Sequence, residues 1–269
     1  MQQVTLAHRG AGGYARLREL RGEDEHAIAG AGTAAAIALL DRLLVTATGV
    51  AVTAGDAATL VAADRDRLLA ALYRDAYGPR VHSTLVCARC GERFDLDFDI
   101  HDLLTSLGAA GDHDDGRSEA ALAADGTVRF AGGWHMRLPT GADESAVAGL
   151  PPEEAAAELL ARCTIAGTPP ADREAIDDAL EQLAPIAAVD LDATCPNCGE
   201  PQLAAFDLQS YLLGALRQEQ RQLANEVHRL ARAYGWSRTE ILDMTRRERR
   251  EHVDLIEAEL MQRRQGVLA

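Results

Sequence analysis

The chain has no lysine, so all 27 of its basic residues are arginine. Set against 42 acidic residues, they leave a formal net charge of -15. Phosphate backbones repel a surface of that sign, which disfavours nucleic acid as a partner. Aromatic residues make up only 4 % of the chain. Leucine and alanine must fill the core instead, a composition that favours helix packing with a modest β component. No apolar run approaches the roughly 20 residues of a membrane span; the longest stretches, around residues 27–40 and 45–52, are short and rich in alanine and glycine. The opening residues show no basic segment followed by an apolar one, so no secretory signal is expected. A cytoplasmic, reducing location with no membrane association is the reading. P-loop, GxSxG and HExxH motifs are missing too, and no enzyme activity or small-molecule substrate is expected.

Cysteine is scarce, with five in 269 residues, yet four of the five fall in two CxxC knuckles. These are Cys87-Ala-Arg-Cys90-Gly-Glu92 and Cys195-Pro-Asn-Cys198-Gly-Glu200. Two such pairs supply the four thiolates of a closed tetrahedral Zn2+ site, which is structural because it leaves no position for water or substrate. Two local disulfides or thiol redox chemistry are the alternatives. A stable disulfide needs an oxidising compartment, and nothing in the sequence indicates one. The fifth, Cys163, reads as a small buried residue.

The knuckles match well beyond their cysteines. A shift of 108 positions lays Phe98, Asp99 and Leu104 on Phe206, Asp207 and Leu212. Each copy therefore reads as strand, knuckle, return strand and helix, with Asp99 and Asp207 at the helix N-caps. In the first return strand Phe94, Leu96 and Phe98 alternate with Asp95 and Asp97, one face apolar and one acidic.

The remaining segments suggest an α+β fold, helix-rich, with a small antiparallel zinc-ribbon-like unit and a C-terminal helical arm. Residues 1–80 form a mainly helical region, with a short edge strand at 14–20, a helix at 34–44, a strand at 50–53 and a helix at 57–77. The bipartite zinc unit takes 81–107 and 186–210. Between its halves, 108–185 reads as an insertion. It opens with a solvated Gly/Asp-rich break at 108–118, continues as a hairpin across Ala131-Gly-Gly133, and ends in helices at 153–163 and 171–183. The arm, 211–269, begins with one long helix over 208–234. Two capping boxes follow, Ser237 to Glu240 and Thr245 to Glu248. The run from Arg246 to Arg250 is interleaved with acids and reads as a solvated helix face.

The segment from Glu226 to Leu242, with Arg249 and Arg250 beyond it, resembles the C-terminal region of a known family. That family comprises the baseplate hub assembly chaperones of T-even-type contractile phage tails, with relatives in phage-tail-like contractile injection systems. The residues that carry the resemblance are Glu226, His228, Tyr234, Trp236, Glu240, Ile241, Leu242, Arg249 and Arg250; residues 17–25 and 40–44 resemble the opening of such proteins. The resemblance implies a non-enzymatic assembly chaperone or structural subunit, working through contacts with other baseplate or tail proteins. Tyr234, Trp236, Ile241, Leu242, Arg249 and Arg250 are the expected partner-binding residues. The apolar four are equally readable as the core of a small helical unit. The alternative function is a zinc-ribbon nucleic-acid-binding regulator, for which the thiolates and the arginine run are the support.

Overall fold

A computed structural model of the chain describes residues 1–8, 13–111, 120–123 and 125–267. The carboxylates and His113 of the expected Gly/Asp-rich break lie outside the described residues. The chain begins with β1 (Gln2–Thr5), β2 (Tyr14–Leu17), α1 (Gly22–Ala27), α2 (Thr33–Leu43), β3 (Leu44–Ala47) and β4 (Val50–Ala51). A 3-10 turn (Asp56–Thr59) leads into α3 (Ala62–Tyr77), and then come β5 (Arg80–Val86), β6 (Arg93–Asp99) and α4 (Ile100–Gly111). Next are β7 (Ala120–Leu122), β8 (Thr127–Phe130), β9 (His135–Arg137), α5 (Gly141–Val147), α6 (Pro152–Cys163), β10 (Thr164–Ala166) and α7 (Arg173–Leu183). After β11 (Ala188–Thr194), β12 (Pro201–Asp207) and α8 (Leu208–Gln218), the chain ends in α9 (Gln220–Tyr234), α10 (Arg238–Asp243) and α11 (Arg246–Val267). The class is α+β, as expected.

The element order shows that the relation between the knuckles is part of a larger one. One antiparallel sheet runs β1-β2-β3-β4 and a second runs β7-β8-β9-β10. In both, a hairpin (β1–β2 or β8–β9) is followed by a short helix and a longer helix. The chain then returns as a strand beside the hairpin (β3 or β10). A further helix, a knuckle hairpin and a capped helix complete each copy. The 108–185 interval is therefore not an insertion. It holds the front half of a second copy, and the mainly helical N-terminal region also carries the four-stranded sheet β1-β2-β3-β4.

Side chains confirm the correspondence. Asp24 caps α1 by accepting from the Arg21 N–H, and Asp143 caps α5 by accepting from the Thr140 N–H, each at 3.0 Å. Arg18 forks onto Asp24 as Arg137 forks onto Asp143, and Arg42 and Arg162 at the ends of α2 and α6 add a second guanidinium. Both aspartates are buried, and both are held below the usual carboxylate range. At Asp24 burial opposes ionisation, but the hydrogen bonds from Arg18, Arg21 and Arg42 outweigh it. At Asp143 the Arg137 hydrogen bond is the main cause.

Two cores result. The larger joins Leu17, Leu40, Leu43, Leu68 and Leu69 of the first copy to Leu208, Leu212 and Leu213 of α8. The smaller packs Trp134, Met136, Cys163 and Ile176 of the second copy. Burial raises the Cys163 thiol to about 11, in keeping with its reading as a buried small residue.

Three local expectations change. β2 is an inner strand because the short polar segment Gln2–Thr5 pairs along it. The expected long helix breaks at Glu219, whose carboxylate is taken by Arg246 at 2.7 Å and by the Tyr77 hydroxyl at 3.0 Å. Just past the break, the Gln220 amide donates to the carbonyls of Glu25 and Ile28. The C-terminal arm thus begins at Glu219, and α8 belongs to the main core. Finally, Arg246 and Arg249 of the arginine run are buried, so only part of that run is a solvated face.

Candidate metal centre

Each knuckle is the tip of a hairpin. Strands β5 and β6 pair from Arg80↔Asp99 to Val86↔Arg93, and β11 and β12 pair from Ala188↔Asp207 to Thr194↔Pro201. At the first tip the Cys87 N–H donates to the Glu92 carbonyl and the Gly91 N–H donates to the Cys87 carbonyl, at 2.9 and 3.0 Å. The second tip repeats this with Cys195, Glu200 and Gly199. Gly91 and Gly199 have φ of 74° and 73°, a left-handed turn that brings the chain back after the second sulfur. Asp99 and Asp207 cap the following helices, as the sequence predicts, by accepting from the N–H of His101 and of Gln209.

The hairpins face each other. Phe98 and Phe206 meet edge to face at 5.0 Å, and Phe94, Ala193, Leu85 and Leu96 pack beneath the sulfurs. Gln202 laces the tips together by accepting from the Ala88 N–H and donating to the Val86 carbonyl. Arg89 and Glu200 pair across the rim. The close sulfur contacts run between knuckles: Cys87 to Cys198 at 3.6 Å and Cys90 to Cys195 at 3.8 Å. All five cysteines are free thiols, so neither CxxC is a local disulfide.

All four sulfurs lie within 4.8 Å of one another. A tetrahedral ion with metal–sulfur bonds of about 2.3 Å needs sulfur–sulfur edges of about 3.8 Å, so the cluster fits one ion. Cys87 and Cys195 are buried and Cys90 is exposed, which leaves one side of the cluster at the surface. The N–H groups of Cys90 and Arg89 lower the Cys87 thiol to about 7. At Cys198 the Glu200 N–H favours the thiolate, but burial and the crowding sulfurs outweigh it and push that thiol up to about 12. Four thiolates this close repel one another, and a cation at their centre relieves the repulsion. Metal binding and thiol deprotonation are therefore linked. Among the described residues no other group of three or more His, Cys, Asp or Glu side chains is placed to hold an ion.

The expected partner-binding residues separate into two sets. Ile241 and Arg249 are buried, at 0 % and 1 % exposure, and offer nothing to a partner in this conformation. Arg249 donates to Glu226 and to both carboxylate oxygens of Glu25. Leu242 is half-buried against Gly22. Arg250 is exposed, and Tyr234 stacks on Trp236 at 4.5 Å with His252 edge-on to both. Sequence reasoning missed Glu25 as the partner of the arginine run. The available signal was a second Gly-x-Asp-Glu, 119 positions on at Gly141 to Glu144.

No segment of the described chain forms a helix long and apolar enough to cross a membrane. Set beside family models, curated proteins and solved structures, the chain finds no match.

Proposed function

We propose that this chain is a non-enzymatic assembly chaperone or structural component of the baseplate of a contractile phage tail or phage-tail-like injection system. In this reading it acts in the cytoplasm through contacts with other baseplate or tail proteins, and its four-cysteine cluster holds a structural zinc ion. The observation that carries the non-catalytic part is the closed set of four sulfurs, with edges of 3.6 and 3.8 Å, which leaves no coordination position for a substrate. An all-thiolate tetrahedral set favours zinc over the harder divalent ions. The tail-assembly part rests on the resemblance of residues 226–250.

The cluster joins the back halves of the two copies, so the ion fixes how α4 and α8 leave the hairpins. That is an architectural role suited to holding a docking surface in shape. The nucleic-acid alternative loses support from the seating of Arg246 and Arg249 on Glu25, Glu219 and Glu226, which takes two cations of the run away from solvent.

The test is affinity purification of the tagged chain from its native host during assembly, with identification of co-purifying proteins. Recovery of sheath, tube or baseplate proteins is expected. A chaperone is then absent from the finished particle, whereas a structural subunit is present at a symmetric copy number. Recovery of nucleic acid in place of tail proteins overturns the reading.

A further inference from the structure

The two copies share one more device. In the second copy, the start of α5 is engaged by the segment that opens α3. The Gly141 N–H donates to the Leu60 carbonyl at 3.1 Å, Val61 forms an antiparallel bridge with Thr140, and Arg65 pairs with Glu144. In the first copy, the start of α1 is engaged in the same way by the arm. The Gly22 N–H donates to the Met244 carbonyl at 3.2 Å, Thr245 bridges Arg21, and Arg249 pairs with Glu25.

Every role falls at one constant spacing. Leu60, Val61 and Arg65 map onto Met244, Thr245 and Arg249, and Ala57 and Ala58 map onto Ile241 and Leu242. Each is a hook: an extended residue that bridges, a helix that starts behind it, and an arginine four residues on. Each socket is a helix start with glycine first and glutamate fourth. The glycine admits the hook closely, since a Cβ at Gly22 would lie 3.2 Å from the Leu242 backbone.

The two hooks differ in origin. The hook of residues 57–65 lies within the first copy. The hook of residues 241–249 is carried by the arm, beyond both copies, and follows α9, which runs from the break at Glu219 to the left-handed Gly235. Its grip on the first socket combines the ion pairs of Arg246 and Arg249 with Glu25, the backbone bridge and the buried Ile241, and the face of α10 away from that socket is exposed. Beside the first socket lies a cavity of about 910 Å3, lined in part by Asp24, Ile28, Gly32, Leu39 and Glu144.

We infer that the socket formed by Gly22, Asp24 and Glu25 is a peptide-binding site for an arginine hook presented by another polypeptide, and that α10 and the start of α11 are its resident self-ligand. The ligand class is set by the two seated examples: a bridging residue at a helix start, followed four positions later by arginine. The inference does not depend on which assembly the protein serves.

The probe is a fluorescein-labelled peptide of residues 238–256, titrated by anisotropy into the full chain. A seated arm lowers apparent affinity by the fraction of open molecules, so Arg249→Ala in the protein is expected to tighten peptide binding at least tenfold. Adding Glu25→Gln to that variant should abolish binding, and a peptide with its own Arg249→Ala should not bind. If the folded Arg249→Ala chain binds no better than wild type, or if Glu25→Gln has no effect, the inference is overturned. Should Arg249→Ala not fold, amide exchange on the wild-type chain decides. Excess unlabelled peptide must raise exchange across 241–250. Exchange there only through global unfolding, with or without peptide, rejects the site.

Discussion

Arg249 lies against Glu25 with its Nη2 3.0 Å from both carboxylate oxygens, although 224 positions separate the two residues. Both are nearly fully buried, and Glu226 takes the Arg249 Nε at 3.0 Å. Removing one member of a buried ion pair leaves an uncompensated charge and costs about 3–5 kcal/mol. Arg249→Ala should therefore lower stability by that amount in urea unfolding. Adding Glu25→Gln should cost less in that background than in the wild type, because Glu25 then keeps Arg246 but no longer Arg249. Strict additivity of the two changes would show that the pair does not couple.

Gly22 and Gly141 occupy equivalent socket positions but meet different neighbours. A Cβ at Gly141 comes within 2.8 Å of the Ile37 Cδ1, the movable end of a side chain. A Cβ at Gly22 comes within 3.2 Å of the Leu242 Cα, which is backbone. Gly22→Ala is thus expected to cost roughly 1–3 kcal/mol, and Gly141→Ala less. Equal thermal shifts for the two variants would contradict the contact that distinguishes them.

The cysteine cluster ties together residues 105 positions apart in the case of Cys90 and Cys195. Freeing a loop of that length returns roughly 4–5 kcal/mol of chain entropy to the unfolded state. Under the proposed zinc assignment, Cys195→Ser should therefore lose the ion and fall several degrees or more in Tm. Chelation of the wild-type protein should reproduce both effects. A zinc-free mutant with wild-type stability would show that the ion holds nothing together.

Asp66 gives the protein a pH signature. It is buried, accepts from the Ala187 N–H at 2.8 Å and sits beside Arg65, and burial raises its carboxyl to about 6. A carboxyl raised in the folded state contributes stability that is full below the unfolded value of 3.8 and is lost as pH rises through about 6. Asp66→Asn does not titrate, so it should gain on wild type between pH 4 and 7 by up to about 3 kcal/mol. Unfolding midpoints of both proteins at the two pH values measure this difference. A difference that does not change with pH would mean that the carboxyl titrates normally.

Asp143 should behave in the opposite sense. Its folded pKa is depressed, chiefly by Arg137, so its contribution is present above pH 4 and is lost as pH falls. Asp143→Asn is expected to destabilise by about 3 kcal/mol at pH 7, and by much less near pH 2, where the wild-type carboxyl begins to be protonated. Asp24→Asn should follow the same pattern in the first copy.

The sequence by itself determined what depends on near neighbours. Two CxxC-Gly-Glu tips with alternating strands, aspartate N-caps at 99 and 207, and capping boxes at 237 and 245 all involve partners within a few residues. Each formed as the spacing predicts. Apart from the pairing of the two knuckles, the tertiary structure decided what joins distant segments. Arg18, Gly22, Asp24 and Glu25 recur at Arg137, Gly141, Asp143 and Glu144, but the apolar residues around them differ, with Leu17 matched by Met136 and Ala15 by Trp134, so the kinship stands out only in the shared geometry. Arg249 reads as surface from its acidic neighbours in sequence, and is interior because Glu25 and Glu226 converge on it from α1 and α9. Local hydrogen bonds close over a turn or two and leave their pattern in the chain. A buried charge is stabilised by whatever the fold brings to it, and the residues beside that charge in sequence do not name its partner.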